Sequence, residues 1–363
     1  MSREPTLLFF EVACFYAEVE RAASPALRER PVIVGGNPRK GGRVQSASIE
    51  ALEAGVELGM PVLEALEHCV TARALRTDMK RYRAVSAQLH AALRAELERL
   101  EPAGLNAGFL DATGSALPPE ELAGRLSTRV EQSLGLQGRV GVASVKFLAR
   151  LAAEQAGQAG VVRVPAGDEA AFLAELPVSV LPGVGPRTLS TLRELGTVRV
   201  GDLVALGRDA LERVLGNHGL RLLEFARGED PQRVRAVRAP NSLSQESSFD
   251  QPERDRGVIE EQLAQLATGL EGGLQRQGLG ARRIAVKLRF EEGDSTTRSI
   301  TLESRVASAP ELAQAASSLL ERTDVGVRAV RTVGVRLSGL GTGGGDDSQM
   351  DLFDSGGEVS GAG

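Results

Sequence analysis

Apolar residues along this chain alternate between two spacings, and each change of spacing marks an element. Leu7 to Phe10 is an unbroken apolar run that passes into Glu11–Glu20, the pattern of a buried strand entering a helix. Pro31-Val-Ile-Val-Gly-Gly reads as a strand closed by a diglycine turn. Between Asp78 and Leu100 the apolar positions Tyr82, Val85, Leu89, Leu93, Leu97 and Leu100 recur at helical spacing, with Arg and Glu on the remaining face. Pro118–Leu134 predicts a further amphipathic helix and Arg139–Ser144 a strand. The strand-helix-strand order around Val32, Leu110, Val140 and Val161 predicts a ferredoxin-like sheet.

Leu181-Pro-Gly-Val-Gly-Pro-Arg has the form of a helix-hairpin-helix turn. Gly183 and Gly185 permit a tight turn that brings backbone N–H groups to a phosphate. The helix starting near Pro186 points its N-terminus at the same anion, and Arg187 adds a charge-assisted contact. A plain Gly-Pro turn between helices is the competing reading. Leu211–Gly228 reads as a second helical unit, with Gly216 and Gly219 around His218, a residue expected at the surface. Asp230–Pro240 is charged, ends in Pro and reads as a tether. Beyond it the spacing drops to two. In Arg282–Phe290, Ile284, Val286, Leu288 and Phe290 face one way and Arg283, Lys287 and Arg289 the other. Thr332–Leu337 repeats the pattern, with Val333, Val335 and Leu337 inward and Arg336 outward. Helices over Val258–Gln275 and Ala309–Glu321 would cover the apolar face, leaving the basic one for a nucleic-acid backbone or for solvent.

Composition mainly excludes. At 363 residues, 42% hydrophobic and 25% charged, the chain suits two or three ordinary soluble globular domains. Two cysteines, Cys14 and Cys69, without a CxxC, and three scattered histidines argue against a zinc site and a disulfide framework. No leader pattern stands at the start, and no window reaches the roughly eighteen apolar residues of a membrane span, so the expected compartment is the cytoplasm, with no membrane partner. The formal charge of −5 is carried by the tail: Asp346, Asp347, Asp351, Asp354 and Glu358, with no Lys or Arg after Leu340. The rest is near neutral, which leaves room for a basic face.

Glu101-Pro-Ala-Gly-Leu-Asn-Ala-Gly-Phe-Leu-Asp-Ala-Thr113 resembles the second catalytic strand of the Y-family (UmuC/DinB/ImuB) DNA polymerases, roughly Glu-Pro-x-Ser-Leu-Asp-Glu-Ala-Tyr-Leu-Asp-x-Thr. Asn106 and Ala107 stand at its two central acids, and Asp111 matches the family's structural Asp. Glu11–Glu20 is similar to the first signature of that family: Cys14, Phe15, Ala17, Val19 and Glu20 fit, Glu11 stands at the first metal-binding Asp, and Ala13 at the next Asp. Tyr16 falls on the steric gate that screens out a ribose 2′-hydroxyl, with core packing as the other reading. In the fingers motif from Ser46 to Val56, Ile49 and Leu52 replace the Tyr and Arg that hold the incoming triphosphate, and Glu50 and Glu53 add negative charge beside them. Ala143-Ser-Val-Lys-Phe-Leu-Ala-Arg matches a motif that continues to a triphosphate-binding Lys, where this chain has Gly157. Asn241–Leu340 resembles the little finger domain found in this family. Gln349-Met-Asp-Leu-Phe353 resembles the pentapeptide that docks repair polymerases on the sliding clamp: Gln349 fixes orientation, Leu352 and Phe353 fill an apolar pocket, and Met350 takes a position usually Leu.

The resemblance implies an α+β multidomain right-hand polymerase. Palm and fingers span 1–165 (fingers about 14–77), a helix-hairpin-helix thumb 166–235, a linker 236–243, an α/β little finger 244–340, and a disordered tail 341–363. It also implies phosphoryl transfer with two divalent ions held by carboxylates, of which only Glu11 remains. The expected function is therefore a catalytically inactive member of ImuB-type character, monomeric and without a cofactor. It would bind primer-template or damaged DNA through Gly183, Gly185, Arg187, Arg283, Lys287, Arg289 and Arg336, and the beta sliding clamp through its tail peptide. Its partner would be an error-prone polymerase or an ImuA-like accessory protein, whose docking surface stays unplaced. The alternative is a residually active translesion polymerase that holds Mg2+ with Glu11 and Asp111 or a substrate phosphate. A third reading is a regulator that binds the clamp but not DNA.

Overall fold

The computed structural model describes residues 5–235 and 241–342. The chain forms two compact units, Met1–Arg238 and Ala239–Gly363. The first begins with β1 (Leu7–Glu11), α1 (Phe15–Ala23), β2 (Val32–Gly35), β3 (Val44–Ala47), α2 (Ile49–Glu53), α3 (Val62–His68) and β4 (Arg73–Arg76). It continues through α4 (Met79–Glu96), β5 (Leu100–Pro102), β6 (Ala107–Asp111), α5 (Pro119–Leu134), β7 (Arg139–Ala143), α6 (Lys146–Gln155) and β8 (Gly160–Arg163). Five helices complete it: α7 (Glu169–Ala174), α8 (Pro186–Glu194), α9 (Val200–Leu206), α10 (Arg208–Leu215) and α11 (Asn217–Ala226).

The palm is a sheet of order β5-β6-β1-β7-β8, with β1 central and antiparallel to both neighbours. Its strand is apolar without alternation because both faces are covered. Leu8 and Phe10 join Tyr82, Leu89 and Leu93 of α4 and Leu122, Leu126 and Val130 of α5. Phe9 faces the other way, into a cluster with Phe147, Leu148 and Ala152 of α6. Helix α6 lies directly on the β7 backbone: a Cβ at Gly141 would fall 1.8 Å from the Ala149 carbonyl oxygen, so only glycine fits.

Four expectations change. Val32 is not in the palm sheet; β2 sits between β3 and β4 in a separate three-stranded sheet. Its alternation explains the split, since Val32 and Val34 face the palm core while Ile33 faces a fingers core with Val44, Val56 and Val62. The helix ends at Glu96, because Leu97 turns extended and Leu100 pairs with Leu110 across the sheet. Glu101–Thr113 is accordingly a hairpin of two strands, turned at Gly104 (φ 90°), and Asn106 sits one residue before β6. The thumb segment Leu211–Gly228 is likewise two helices, broken at Gly216 (φ 60°, ψ −144°).

The second unit contains β9 (Ser242–Glu253), α12 (Arg256–Gln275), β10 (Gly280–Phe290), β11 (Ser295–Val306), α13 (Ala309–Leu320) and β12 (Val330–Gly341). Its antiparallel sheet has the order β11-β10-β12-β9. Ile284, Val286, Leu288, Val333, Val335 and Leu337 pack under α12 and α13, as their period of two predicts.

One buried ion pair ties the palm hairpin to α6. Lys146 Nζ donates to both oxygens of Glu101, at 2.9 and 2.8 Å, and lies 4.7 Å from the Phe109 ring centre. The same carboxylate accepts the Arg235 amide at 2.8 Å. Both side chains are almost wholly buried, 10% and 5% exposed, so removing one strands a desolvated charge. Lys146→Ala is expected to lower stability by about 3–5 kcal/mol in urea unfolding, against under about 1 kcal/mol for Arg150→Ala in the exposed Arg150–Glu154 pair of the same helix.

Candidate active site and nucleic-acid interface

A cavity of about 620 Å³ lies between palm and fingers. It gathers residues from five places in the sequence: Glu11, Ala13, Tyr16, Ile49, Leu52, Asn106, Arg139 and Gly157 all line it. Most of the family-derived positions thus meet in one place. Ala107 is the exception; it is 1% exposed and belongs to the core on the α6 side. The turn from β1 into α1 passes through Cys14 (φ 53°, ψ 32°), the one non-glycine residue with positive φ among the described residues. Such a conformation costs about 1–2 kcal/mol. Burial, then the nearby Glu18 carboxylate, pushes the Cys14 thiol above its ordinary value, so it is a poor nucleophile. Tyr16 stacks on Tyr82 with ring centres 4.3 Å apart and planes within 10°, and Tyr82 donates its hydroxyl to Glu20 at 2.9 Å.

Glu11 is fully engaged by this chain's own donors. Register sets Arg139 of β7 directly across from it, on the same face of the sheet. The guanidinium donates through Nε at 2.8 Å and Nη2 at 2.5 Å to Oε2. Asn106 Nδ2 donates to Oε1 at 3.2 Å and to the Val12 carbonyl at 3.1 Å. Arg139 also donates to the Gly157 carbonyl at 3.3 Å. Asp111 cannot join this group. It pairs with Leu7 while Glu11 pairs with Ala107, four residues away along the strand, or roughly 13 Å at about 3.3 Å per residue. Burial works against the Asp111 charge, yet hydrogen bonds from Thr113 and the Arg99 guanidinium hold its carboxyl below the ordinary value.

On the fingers side, Ile49 and Leu52 join Leu58 and Leu105 in an apolar wall. Glu50 and Glu53 do not line the cavity, contrary to the sequence expectation. Glu50 turns instead to Arg21, accepting at 2.8 and 3.3 Å.

In the thumb, Gly183 takes φ 90° and carries the His218 ring against it, so a Cβ there would lie 2.9 Å from Cε1. His218 is exposed, as expected. The hairpin differs from expectation in one respect: the Val184 and Gly185 amides bond within the turn, to the Leu181 and Gly183 carbonyls. An anion here would draw on the first-turn amides of α8, at Arg187 and Thr188.

The little finger sheet presents a polar face opposite its core. Arg283, Lys287 and Arg289 of β10 share it with Arg336 of β12, whose register partner is Ala285. Thr297, Ser299 and Thr301 flank them on β11 and Ser244 and Ser248 on β9. Hydroxyls beside guanidinium and ammonium groups suit phosphate oxygens. Glu246 interrupts the basic run: it lies over Gly334, whose missing side chain leaves it room, and reaches Lys287 Nζ at 3.5 Å.

The model of the impB/mucB/samB family matches residues 10–154, and that of the same family's C-terminal domain matches residues 240–352. The chain belongs to this family, the Y-family DNA polymerases. It is 36% identical to a DNA polymerase IV of Halorhodospira halophila, over 92% of this chain and 95% of the relative. It is 37% identical to a DNA polymerase IV of Streptomyces coelicolor, over 97% of this chain and 74% of the relative. A solved Y-family DNA polymerase chimera of Dbh and Dpo4 superposes with a TM-score of 0.82 at 25% identity, over 93% of this chain and 99% of that one.

Membership in the Y family implies divalent ions in the palm, and the residues present do not fit them. Hard cations need several oxygen ligands. Glu11 offers a carboxylate whose two oxygens are already bonded, Asn106 presents its amide nitrogen, and Ala13 and Ala107 have no side-chain oxygen. Among the described residues no group of three or more His, Cys, Asp or Glu is placed to hold an ion. Of the Y-family positions read from the sequence, the clamp peptide Gln349, Met350, Leu352 and Phe353 lies outside the described residues.

Sequence reasoning missed Arg139, His90 and Glu246. For Arg139 the signal was present, a charged residue opening an otherwise apolar strand paired with β1. His90 Nε2 donates to the Ala107 carbonyl at 3.1 Å, pinning α4 to β6 behind the cavity. Burial, outweighing that carbonyl, holds its imidazole below the ordinary value of 6.5. The unfolded chain therefore takes the proton more readily, and stability falls as pH drops through 6.5 and below it to the depressed folded value. Urea unfolding at about pH 7.5 and about pH 5.5 is expected to show a larger loss for the wild type than for His90→Gln.

Proposed function

We propose that this Y-family chain is a DNA-binding protein of damage tolerance whose palm does not catalyse nucleotide addition. The observation that carries this reading is the Glu11 carboxylate bonded on both oxygens by Arg139 and Asn106. Two-ion chemistry needs carboxylates free to bridge the ions and the reacting oxygens, and among the described residues this cavity is lined by one, already paired with Arg139. An incoming triphosphate would also meet Ile49, Leu52 and Gly157 with no cation to spare. Gly183, Gly185 and Arg187, with Arg283, Lys287, Arg289 and Arg336, support binding along a DNA backbone. The tail peptide supports docking on the beta sliding clamp, and an error-prone polymerase or an ImuA-like accessory protein is the partner that such a scaffold would serve.

The relatives named DNA polymerase IV favour the second reading, a translesion polymerase that adds nucleotides opposite damaged template and uses Mg2+. Primer extension on damaged and intact template decides between them. With Mg2+ or Mn2+, the first reading expects no incorporation above that of Glu11→Ala; clear extension that Glu11→Ala abolishes would establish the second.

DNA affinity is expected to fall with salt, and Lys287→Ala/Arg289→Ala to flatten the slope by about two phosphate contacts in fluorescence anisotropy. An unchanged slope would move the contact off this sheet face. Deleting Gln349 to Phe353 is expected to abolish clamp binding in a pull-down while DNA affinity stays the same.

A further inference from the structure

We propose that the Arg139 guanidinium is a built-in cation, holding the charge-balancing place on Glu11 and thereby keeping divalent ions off the palm even when a second carboxylate is supplied. The inference rests on the reading of the palm as closed to two-ion chemistry and deepens it by naming what closes it. The missing carboxylates explain why an ion would be held weakly. They do not explain why Glu11, a partly buried anion, is stable there without one.

The geometry supplies that explanation. Arg139 is the first residue of β7 and the register partner of Glu11, so the two side chains rise from adjacent strands on one face. All three guanidinium nitrogens are anchored: Nε and Nη2 on Glu11 Oε2, and Nη1 on the Gly157 carbonyl. Both side chains are about four-fifths covered, 19% and 21% exposed. This is a fixed fork and not a surface arginine passing through the site. A divalent ion bound to Glu11 would sit about 2 Å from its oxygens, inside the volume the guanidinium fills, and would be repelled by its charge. Asn106 fits the same design. Its amide reaches the remaining oxygen of Glu11 and the Val12 carbonyl, contacts that a carboxylate could not make. The Gly157 carbonyl completes the anchor at the position where the family's triphosphate-binding Lys falls.

The test supplies the second carboxylate with and without the arginine. N106D alone places an acid beside Glu11 while leaving Arg139 as shared counterion; N106D/R139Q removes that counterion. Melting of the full-length chain in EDTA and in millimolar Mn2+, with Mn2+ binding followed by electron paramagnetic resonance, gives two readouts independent of polymerase activity. Wild type and N106D are expected to ignore the ion. N106D/R139Q is expected to bind it and to gain roughly 3–6 °C, and N106D/R139K, which keeps the charge, to stay unresponsive. Equal Mn2+ binding by N106D and N106D/R139Q would overturn the proposal, as would a folded N106D/R139Q that binds none. Should the double variant not fold in EDTA, refolding from urea only when Mn2+ is present supports the proposal, and failure in both media overturns it. Primer extension by the wild type would sink the silent reading instead, and these ion measurements do not depend on that assay.

Discussion

A carboxylate in a half-closed cavity must be balanced by something, and in this chain the balance comes from within. The Glu11–Arg139 pair joins the central strand of the palm, β1, to its neighbour β7, with Asn106 closing the second oxygen and Gly157 holding the guanidinium from behind. Charge-assisted contacts of this kind are strong because donor and acceptor are both ionic and the fork is planar. The pair also ties β1 to β7 through side chains as well as through the sheet ladder. It balances the one carboxylate that lines the cavity among the described residues.

The palm around that pair is tied together at several further points. The palm sheet is covered on both faces, α6 lies in backbone contact with β7 at Gly141, and Glu101–Lys146 locks the β5–β6 hairpin to the same helix. Cys14 and Tyr16 line the same cavity, and Tyr16 is held by stacking on the buried Tyr82. Among the departures from the family motifs, Ala13, Asn106, Ile49, Leu52 and Gly157 all line the cavity. The little finger, by contrast, sets hydroxyls and cations together on one face of its sheet.

Much of the fold was legible from spacing alone. Period-two residues of β10 and β12 and helical stripes in α4, α5, α12 and α13 predict the cores they occupy, because burial on one face leaves a one-dimensional trace. Val32 was misassigned because β2 is buried on both faces, and an apolar run does not say which sheet it joins. Leu100 was read into α4 because its spacing continues the helical stripe, while the turn at Leu97 depends on pairing with β6. The candidate site was legible in its losses, since Ala13, Asn106, Ala107, Ile49, Leu52 and Gly157 are departures from a known frame. Its gains were not. Arg139, His90 and Glu246 act through partners 128, 17 and 41 residues away, and only register brings those partners into reach.

The most direct test of a palm closed to nucleotide is binding rather than turnover. Titrating a deoxynucleoside triphosphate with Mg2+ into the wild-type chain bound to primer-template, followed by isothermal calorimetry, is expected to give no saturable heat beyond dilution. A saturable, Mg2+-dependent binding isotherm that Glu11→Ala abolishes would contradict the account.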